Sequence, residues 1–228
     1  MAKLTIVFAL YPGVTHLDFT GPHQFLVRTP DAEVVVGSLN GRDIAAEGLM
    51  FTSLADLAAI DRCDVLCVPG GLGCTDAMLN EAFMAQIRRL GAGATYITSV
   101  CTGSLILAAA GFLTGKRAAC HWAWRDLLTP FGAIADDARV VRDGNIITGG
   151  GVTAGIDFAL VLLTELAGPD YAQAVQLSLE YAPAPPFHCG RPELASPEVL
   201  AGVKARLAPM IDPRIAAAAT AAERLQTA

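Results

Sequence analysis

One stretch of the sequence places a thiol where a strand gives way to a helix. Tyr96–Val100 is rich in β-branched and aromatic residues, and apolar residues at helical spacing follow from Thr102. Cys101 is therefore expected on the turn between these elements, at the sheet edge where α/β folds bind ligands. Unpaired N–H groups at the start of the helix favour the thiolate, which is the nucleophilic form. The pattern predicts a nucleophilic Cys101; the alternative is a buried small hydrophobic residue, as most free cysteines are.

A glycine-rich segment could supply donors for negative charge that develops beside this thiol. The segment 68–74 (VPGGLGC) directly follows another apolar run, and consecutive flexible residues can form an anion-binding nest. The predicted donors are the backbone N–H groups of Gly70, Gly71 and Leu72, assisted by that of Thr102. The alternatives are a phosphate loop or a tight turn. Dinucleotide binding is disfavoured because G-x-G-x-x-G fails at Asp76 and no Lys-Ser/Thr pair follows.

Asp18 is the candidate for proton transfer. It lies in HLDFTGP (16–22), between the first apolar run and a helix expected from Pro22. Parallel strands end at the same edge of a sheet, so Asp18 and Cys101 are expected to lie near each other. Partial burial beside a thiolate would raise the pKa of this carboxyl group and suit it to act as an acid. The alternative role is an N-cap carboxylate for the helix.

Two further features could line a pocket or bind a cofactor. His121 in CHWAW lies beside two tryptophans and either packs among them or faces the pocket. Residues 149–154 (GGGVTA) fit G-x-G-x-x-A, but helix follows helix afterwards and no strand completes a βαβ unit. A glycine-walled pocket formed by Gly150, Gly151 and Val152 is therefore favoured. The spacing of His and Cys matches no zinc site, so neither a metal nor an organic cofactor is expected.

Composition narrows the class of protein. With 53% hydrophobic and 17% charged residues, the 228-residue chain is expected to form a compact core. The net charge of −6 and the absence of a basic cluster disfavour nucleic acid and anionic membranes as partners. No apolar run approaches the roughly 20 residues of a membrane span. Six cysteines in a chain without an apparent signal peptide are expected to be reduced thiols, which favours the cytoplasm.

The positions of the apolar runs predict an α/β fold with a largely parallel sheet. The predicted strands are 4–10, 33–39, 64–68 and 96–100, with a type I′ hairpin of 139–142 and 145–148 around Asp143-Gly144. The predicted helices begin at Pro22 and Thr102, cover 80–90, 122–128 and 153–166, and include a tail over 197–225 interrupted near Asp212-Pro213. Three prolines predict an extended segment over 181–187. No linker separates two units, so one domain is expected.

Several motifs together resemble a known family. They run in register over about residues 4–187: LDFTGP, VPGG, TSVCTGSLILAAAG, GKRAACHWAW, VVRDGNIITGGGVTAGIDFAL and LEYAPAPPF. This set resembles the bacterial isocyanide hydratases, of the amidotransferase-like superfamily that includes the parkinsonism-associated deglycase and the intracellular cysteine peptidases. The resemblance implies a flavodoxin-like three-layer sandwich with a nucleophile elbow, and a homodimer. It also implies one amidotransferase-like domain over 1–228, in which 188–228 is a helical extension.

The resemblance further implies hydration of an isocyanide to an N-formamide. Cys101 would attack the terminal carbon, Asp18 would move the proton, and water would open a thioimidate with help from Thr102. The first alternative is a thiol amidohydrolase or peptidase, but the peptidases have histidine and glutamate where this chain has Thr102 and Asp18. The second is a small-molecule sensor, but sensor domains of regulators precede a helix-turn-helix domain of about a hundred residues, whereas here about 40 residues with an alanine-rich tail follow Phe187 and the overall charge is acidic.

Overall fold

The computed structural model describes residues 3–227, so positions 1, 2 and 228 of the predicted domain lie outside the described residues. The strands are β1 (Leu4–Ala9), β2 (Ala32–Ser38), β3 (Ile44–Ala46), β4 (Leu49–Phe51), β5 (Ala55–Asp56), β6 (Val65–Val68), β7 (Tyr96–Val100), β8 (Arg117–Ala119), β9 (Ile134–Asp136), β10 (Val140–Asp143) and β11 (Ile146–Gly149). The α-helices are α1 (Leu17–Leu26), α2 (Cys74–Leu79), α3 (Glu81–Gly93), α4 (Gly103–Ala109), α5 (Ala154–Ala167), α6 (Pro169–Ser178) and α7 (Pro197–Thr227).

A seven-stranded sheet forms the middle layer. Its strand order is β10-β11-β7-β6-β1-β2-β5, and its pairs are parallel except for β10 with β11. Strands β6 and β11 are buried along their whole length, as expected for strands covered on both faces. Helices α1, α5 and α6 pack on one face, and α2, α3, α4 and α7 cover the other. The predicted three-layer α/β sandwich with a mostly parallel sheet is therefore confirmed.

Parallel pairing brings four loops to one edge of the sheet. The register pairs Val68 with Ser99 and Val100 with Gly149, so β6, β7 and β11 end side by side. Strand β1 lies next to β6 and runs in the same direction, so the loop into α1 opens at the same edge. The edge predicted to gather Asp18, the glycine-rich segment and Cys101 therefore exists.

One predicted helix start and one predicted helix are wrong. Helix α1 begins at Leu17, and Pro22 lies inside it rather than at its first turn. The helix starts early because the N–H groups of Asp18 and Phe19 find acceptors in Thr15 and His16, directly after the turn that follows β1. The helix predicted over 122–128 is instead a turn followed by a 3-10 helix, Arg125–Phe131, because Trp124 leaves the helical region with φ −127°.

The C-terminal region also differs from the prediction. Helix α7 continues through Pro209 and Pro213 without the predicted interruption. Both prolines are exposed, so water can donate hydrogen bonds to the carbonyls that lose their helical donors.

The predicted hairpin is formed by β10 and β11. Asp143 pairs with Ile146, so the loop is Gly144-Asn145, and only Gly144 has positive φ. The hairpin is confirmed, but the type I′ turn is wrong.

Residues 181–187 form neither helix nor strand, so the predicted absence of a helix there is confirmed, and the extended backbone stays a prediction. No helix within residues 3–227 has both the length and the apolar character needed to cross a bilayer.

The junction of β7 and α4 permits a test of packing. A Cβ atom on Gly103 would lie 2.1 Å from the Val68 carbonyl oxygen, so only glycine fits there. Gly103→Ala is expected to lower the free energy of unfolding by about 3 kcal/mol, since α4 must move away from β6. Urea denaturation measures this change.

Gly202→Ala is the matched control, because Gly202 is helical and no atom lies within 4 Å of the position that its new methyl group would take. It is expected to raise the free energy of unfolding by up to about 1 kcal/mol. Equal stability of the two variants would contradict the close approach at Gly103.

Candidate active site

Cys101 occupies a strained turn between β7 and α4. Its φ is +58°, a left-handed value that is uncommon for non-glycine residues. The backbone N–H of Cys101 donates to the Gly149 carbonyl at 3.0 Å, which ties the turn to the end of β11. The side chain is almost buried, with 5% of the residue exposed. The expected geometry of a nucleophile elbow is therefore present.

Asp18 lies in the first turn of α1 and is 1% exposed. Its Oδ2 atom accepts a hydrogen bond from the Gly70 N–H at 2.9 Å. Its Oδ1 atom is buried and has no hydrogen-bond partner among the residues that the structure describes. The N-cap position belongs to His16, so the alternative capping role of Asp18 is wrong. A buried carboxyl oxygen without a partner is costly, and such atoms are typical of functional sites.

Burial sets the protonation of Asp18. Removal from water raises the pKa of this carboxyl group to about 7. The Gly70 N–H and the neighbouring Cys101 thiol lower this pKa, and the carboxylate of Glu47 raises it, but these effects are smaller than that of burial. The predicted rise of the Asp18 pKa is therefore supported, and the group changes its charge near neutral pH.

The sequence-based expectation of a thiolate at Cys101 is wrong for the resting protein. Burial is the largest effect and raises the pKa of this thiol well above its usual value, and the negative charge of Asp18 raises it further. The Thr102 N–H lowers the pKa of the thiol, but its effect is smaller than that of burial. The helix that follows, α4, has only seven residues. The favourable interactions at the helix start do not outweigh desolvation. The resting site therefore contains a thiol beside a carboxyl group that titrates.

The glycine-rich segment binds the two other proposed site residues. The Gly71 N–H donates to the Thr102 hydroxyl oxygen at 2.9 Å, and the Gly70 N–H donates to Asp18. A Cβ atom on Gly70 would lie 2.5 Å from the Thr102 nitrogen and 2.8 Å from Asp18 Oδ2, so only glycine permits this approach. These two N–H groups are engaged within the protein rather than available to an anion. Anion binding by Leu72 stays a prediction.

Thr102 therefore holds the loop rather than the carboxylate. It is 2% exposed, and its hydroxyl group donates to the Gly71 carbonyl at 3.2 Å besides accepting from the Gly71 N–H. Asp18 and Thr102 are thus bridged by the Gly70-Gly71 backbone.

The predicted pocket residues lie beside the turn but differ in setting. Gly150 is buried, and its N–H donates to the Arg139 carbonyl, while Gly151 and Val152 are half-buried. His121 is half-buried, and its Nδ1 atom accepts from the Ala123 N–H at 3.3 Å, within its own turn. Burial and a nearby guanidinium group lower the His121 pKa, which favours the neutral imidazole. No hydrogen bond joins His121 to the thiol or carboxyl group among the described residues.

Sequence reasoning missed two residues that contact the glycine-rich segment. The Tyr11 hydroxyl group donates to the Pro69 carbonyl at 2.9 Å. Arg214 reaches the same segment from α7 and donates to the carbonyls of Gly71 at 3.4 Å and Leu72 at 3.1 Å. Tyr11 could have been inferred from its position after β1. No signal in the alanine-rich tail indicates which face of α7 would carry a buried arginine.

A cavity of about 290 Å³ lies next to this region, on the side of Tyr11 and Gly73, and Cys101 does not line it. Within residues 3–227, no three His, Cys, Asp or Glu side chains are grouped to bind a metal ion.

Comparisons with known proteins agree with this architecture. The sequence profile of the DJ-1/PfpI family matches residues 4–165. The isonitrile hydratase of Pseudomonas putida is 48% identical over 97% of this chain and 98% of its own length. Protein dj-1beta of Drosophila melanogaster is 33% identical over 78% of this chain and 97% of its own length. The crystal structure of a THiJ/PfpI family protein from Pseudomonas syringae has a TM-score of 0.92 at 39% identity, covering 96% of this chain and 91% of that one.

The raised pKa of Asp18 makes stability depend on pH. The folded protein binds this proton more tightly than the unfolded chain, whose carboxyl pKa is near 4, so stability falls as pH rises from about 4 to about 7. Asp18→Asn removes this dependence. Its free energy of unfolding, relative to the natural protein, is expected to increase by up to about 4 kcal/mol between pH 4 and pH 8. Urea denaturation at each pH measures this difference. A difference between the two proteins that stays the same from pH 4 to pH 8 would refute the raised pKa of Asp18.

The charge of Asp18 should also control alkylation of Cys101. In a Cys189→Ser background, which removes an exposed thiol, iodoacetamide should react slowly with Cys101 at pH 8 because its pKa is raised. Asp18→Asn removes the nearby negative charge, which lowers the pKa of the thiol, and is therefore expected to speed the reaction severalfold. Mass spectrometry of the Cys101 peptide measures the rate. An unchanged rate would show that the two groups do not interact.

Proposed function

The chain belongs to the DJ-1/PfpI family, and from this membership and its site we propose that it is an isocyanide hydratase. The reaction converts R–N≡C and water to the formamide R–NH–CHO. The 48% identity to the isonitrile hydratase of Pseudomonas putida over 97% of the chain supports the assignment. The observation that carries the chemistry is the buried Asp18, whose Oδ1 atom has no described partner, beside the thiol of Cys101.

In the first step, the thiol adds to the isocyanide carbon. Asp18, as the carboxylate, takes the proton of Cys101 while sulfur forms a bond to the terminal carbon, which retains a lone pair. Asp18 then delivers the same proton to that carbon. The product is the thioimidate R–N=CH–S–Cys101, and Asp18 is again a carboxylate. A carboxyl group with a pKa of about 7 suits both transfers, because neither proton state is strongly favoured at neutral pH.

In the second step, water opens the thioimidate. Asp18 accepts a proton from water as its oxygen attacks the carbon, and this proton passes to nitrogen to give R–NH–CH(OH)–S–Cys101. Collapse of this intermediate forms the carbonyl group, breaks the carbon–sulfur bond and returns the hydroxyl proton to the thiol through Asp18. Covalent catalysis divides one difficult addition into two easier steps. Neither a metal nor an organic cofactor takes part.

The loop geometry supports this use of Asp18. Its Oδ2 atom is fixed by the Gly70 N–H, so Oδ1 remains as the oxygen that exchanges protons. Thr102 fixes the adjacent peptide unit through Gly71. The apolar substituent R would pack near Gly150, Gly151 and Val152. We further propose that the chain is a homodimer, as the family resemblance implies, and that it is cytoplasmic without nucleic-acid or membrane partners, as its composition predicts.

Product analysis tests the reaction. Incubation with an aryl isocyanide should yield the N-aryl formamide, measured by chromatography with mass detection. Cys101→Ala should lower kcat/KM by about 10⁴-fold or more, because the covalent route is lost. Asp18→Asn should lower it by about 10³-fold, because proton transfer is lost. Cys189→Ala is the control and should match the natural protein, since Cys189 is exposed and distant in sequence from the elbow.

The same assay separates the alternatives. For the hydratase, kcat/KM should rise as pH increases through about 7, since Asp18 must be ionised to accept the thiol proton. A thiol amidohydrolase would release amine or ammonia from amides, and a sensor would bind the isocyanide without turnover. Formamide production by Cys101→Ala at the natural rate would overturn the mechanism.

A further inference from the structure

Arg214 is a buried cation without a carboxylate partner among residues 3–227. It is 2% exposed, and no Asp or Glu oxygen of the described residues lies within ion-pair distance of it. Its guanidinium carbon lies 4.3 Å from the centre of the Trp124 ring, which gives a cation–π contact. Burying an unpaired guanidinium group is costly unless its N–H groups are bonded. The acceptors of the Arg214 N–H groups therefore indicate which part of the structure this side chain stabilises.

The acceptors of Arg214 belong to the glycine-rich segment and its continuation. The Nη2 atom donates to the carbonyls of Gly71 and Leu72, and the Nε atom donates to the Thr75 hydroxyl group at 3.1 Å. The planar guanidinium group thus holds two successive peptide units and the start of α2. A fixed fork of donors is suited to this task, and the point charge of lysine is not.

The other peptide units of the segment are held just as firmly. The Pro69 carbonyl accepts from Tyr11, and the Gly70 carbonyl accepts from the Thr15 N–H at 2.9 Å. Because a peptide unit is planar, fixing a carbonyl also fixes the direction of the N–H that follows it. The Gly70 N–H that binds Asp18 and the Gly71 N–H that binds Thr102 are oriented in this way. Arg214 completes the set by holding the Gly71 and Leu72 carbonyls.

We propose that Arg214 is a positioning residue for the hydration reaction. From the C-terminal helix α7, it holds the Gly71 and Leu72 carbonyls and so limits movement of the chain that directly follows Gly70. The Gly70 N–H, which Tyr11 orients through the Pro69 carbonyl, can then stay on Asp18 Oδ2 and leave Oδ1 for proton transfer. The inference rests on the proposed function. It assigns a role in the site to a helix that lies beyond residue 165, where the match to the family profile ends.

The matched pair of variants is Arg214→Met and Arg224→Met. Arg224 lies on the same helix and also donates to a backbone carbonyl, that of Leu79 at 3.1 Å, but it is exposed and does not contact the segment. Arg214→Met keeps an apolar stem and removes the donors. We expect its kcat for an aryl isocyanide to fall about 10- to 100-fold with little change in KM, as for small misplacements of catalytic groups. Arg224→Met should keep the natural kcat.

The pH profile separates positioning from folding. The Gly70 N–H lowers the pKa of Asp18, so a loosened segment should raise it, and the limb of kcat/KM near pH 7 should move upward by about one unit in Arg214→Met. Arg214→Lys keeps the charge and the stem, so it guards against a failure of Arg214→Met to fold. We expect an intermediate loss of kcat for Arg214→Lys.

Chemical rescue adds a third measurement. Guanidinium chloride, far below denaturing concentrations, should partly restore kcat to Arg214→Ala with saturation, whereas sodium chloride at equal ionic strength should not. Natural kcat and an unmoved pH limb in folded Arg214→Lys and Arg214→Met would overturn the role of Arg214. Failure of the natural protein to form formamide would instead overturn the proposed function, so the two failures are distinguishable.

Discussion

The site depends on the burial of a carboxyl group beside a thiol. Removal from water raises the pKa of both groups, the negative charge of Asp18 raises the pKa of the Cys101 thiol further, and the thiol in turn lowers the pKa of Asp18 by a smaller amount. A single backbone N–H, that of Gly70, bonds one carboxyl oxygen and leaves the other free of described partners. This partial compensation keeps Asp18 near the midpoint of its titration at neutral pH. More hydrogen bonds to Asp18 would lower its pKa and make the carboxylate a weak base. Without any, the carboxyl group would stay protonated at neutral pH.

The glycine-rich segment 68–74 holds Asp18 and Thr102 in the positions described above. Strand β6 leads directly into it at the sheet edge, and side chains from the loop after β1, from the elbow and from α7 hold its peptide units. The absence of a Cβ atom at Gly70 allows the Asp18 and Thr102 side chains to meet at one residue. The Asp18 carboxyl group and the elbow thus share one support, although they follow strands that are not adjacent in the sheet. Preorganisation of this kind needs several elements at once.

Prediction from sequence succeeded where local pattern and parallel pairing suffice. The buried apolar runs identified β1, β6 and β7, and the change from strand to helix periodicity located the turn at Cys101. Prediction from sequence failed for the start of α1 and for the break in α7, where hydrogen bonds and solvent exposure in the folded chain outweighed the local effect of proline. Pro22 indicated a helix start, but backbone donors after β1 found acceptors earlier. Pro209 and Pro213 indicated a break, but the carbonyls that lose their donors there can be hydrated and α7 continues.

The sequence by itself determined the layer architecture, the sheet edge that holds the site, and the residue types that meet there. These follow from hydrophobic period and strand direction, which are local or nearly local properties. Only the tertiary structure decided that Cys101 rests as a thiol, that Thr102 holds Gly71, and that Arg214 reaches the loop from α7. The physical reason is that burial and hydrogen-bond partners depend on segments far apart in the chain. A pKa follows the complete surroundings of a group, and no local pattern specifies them.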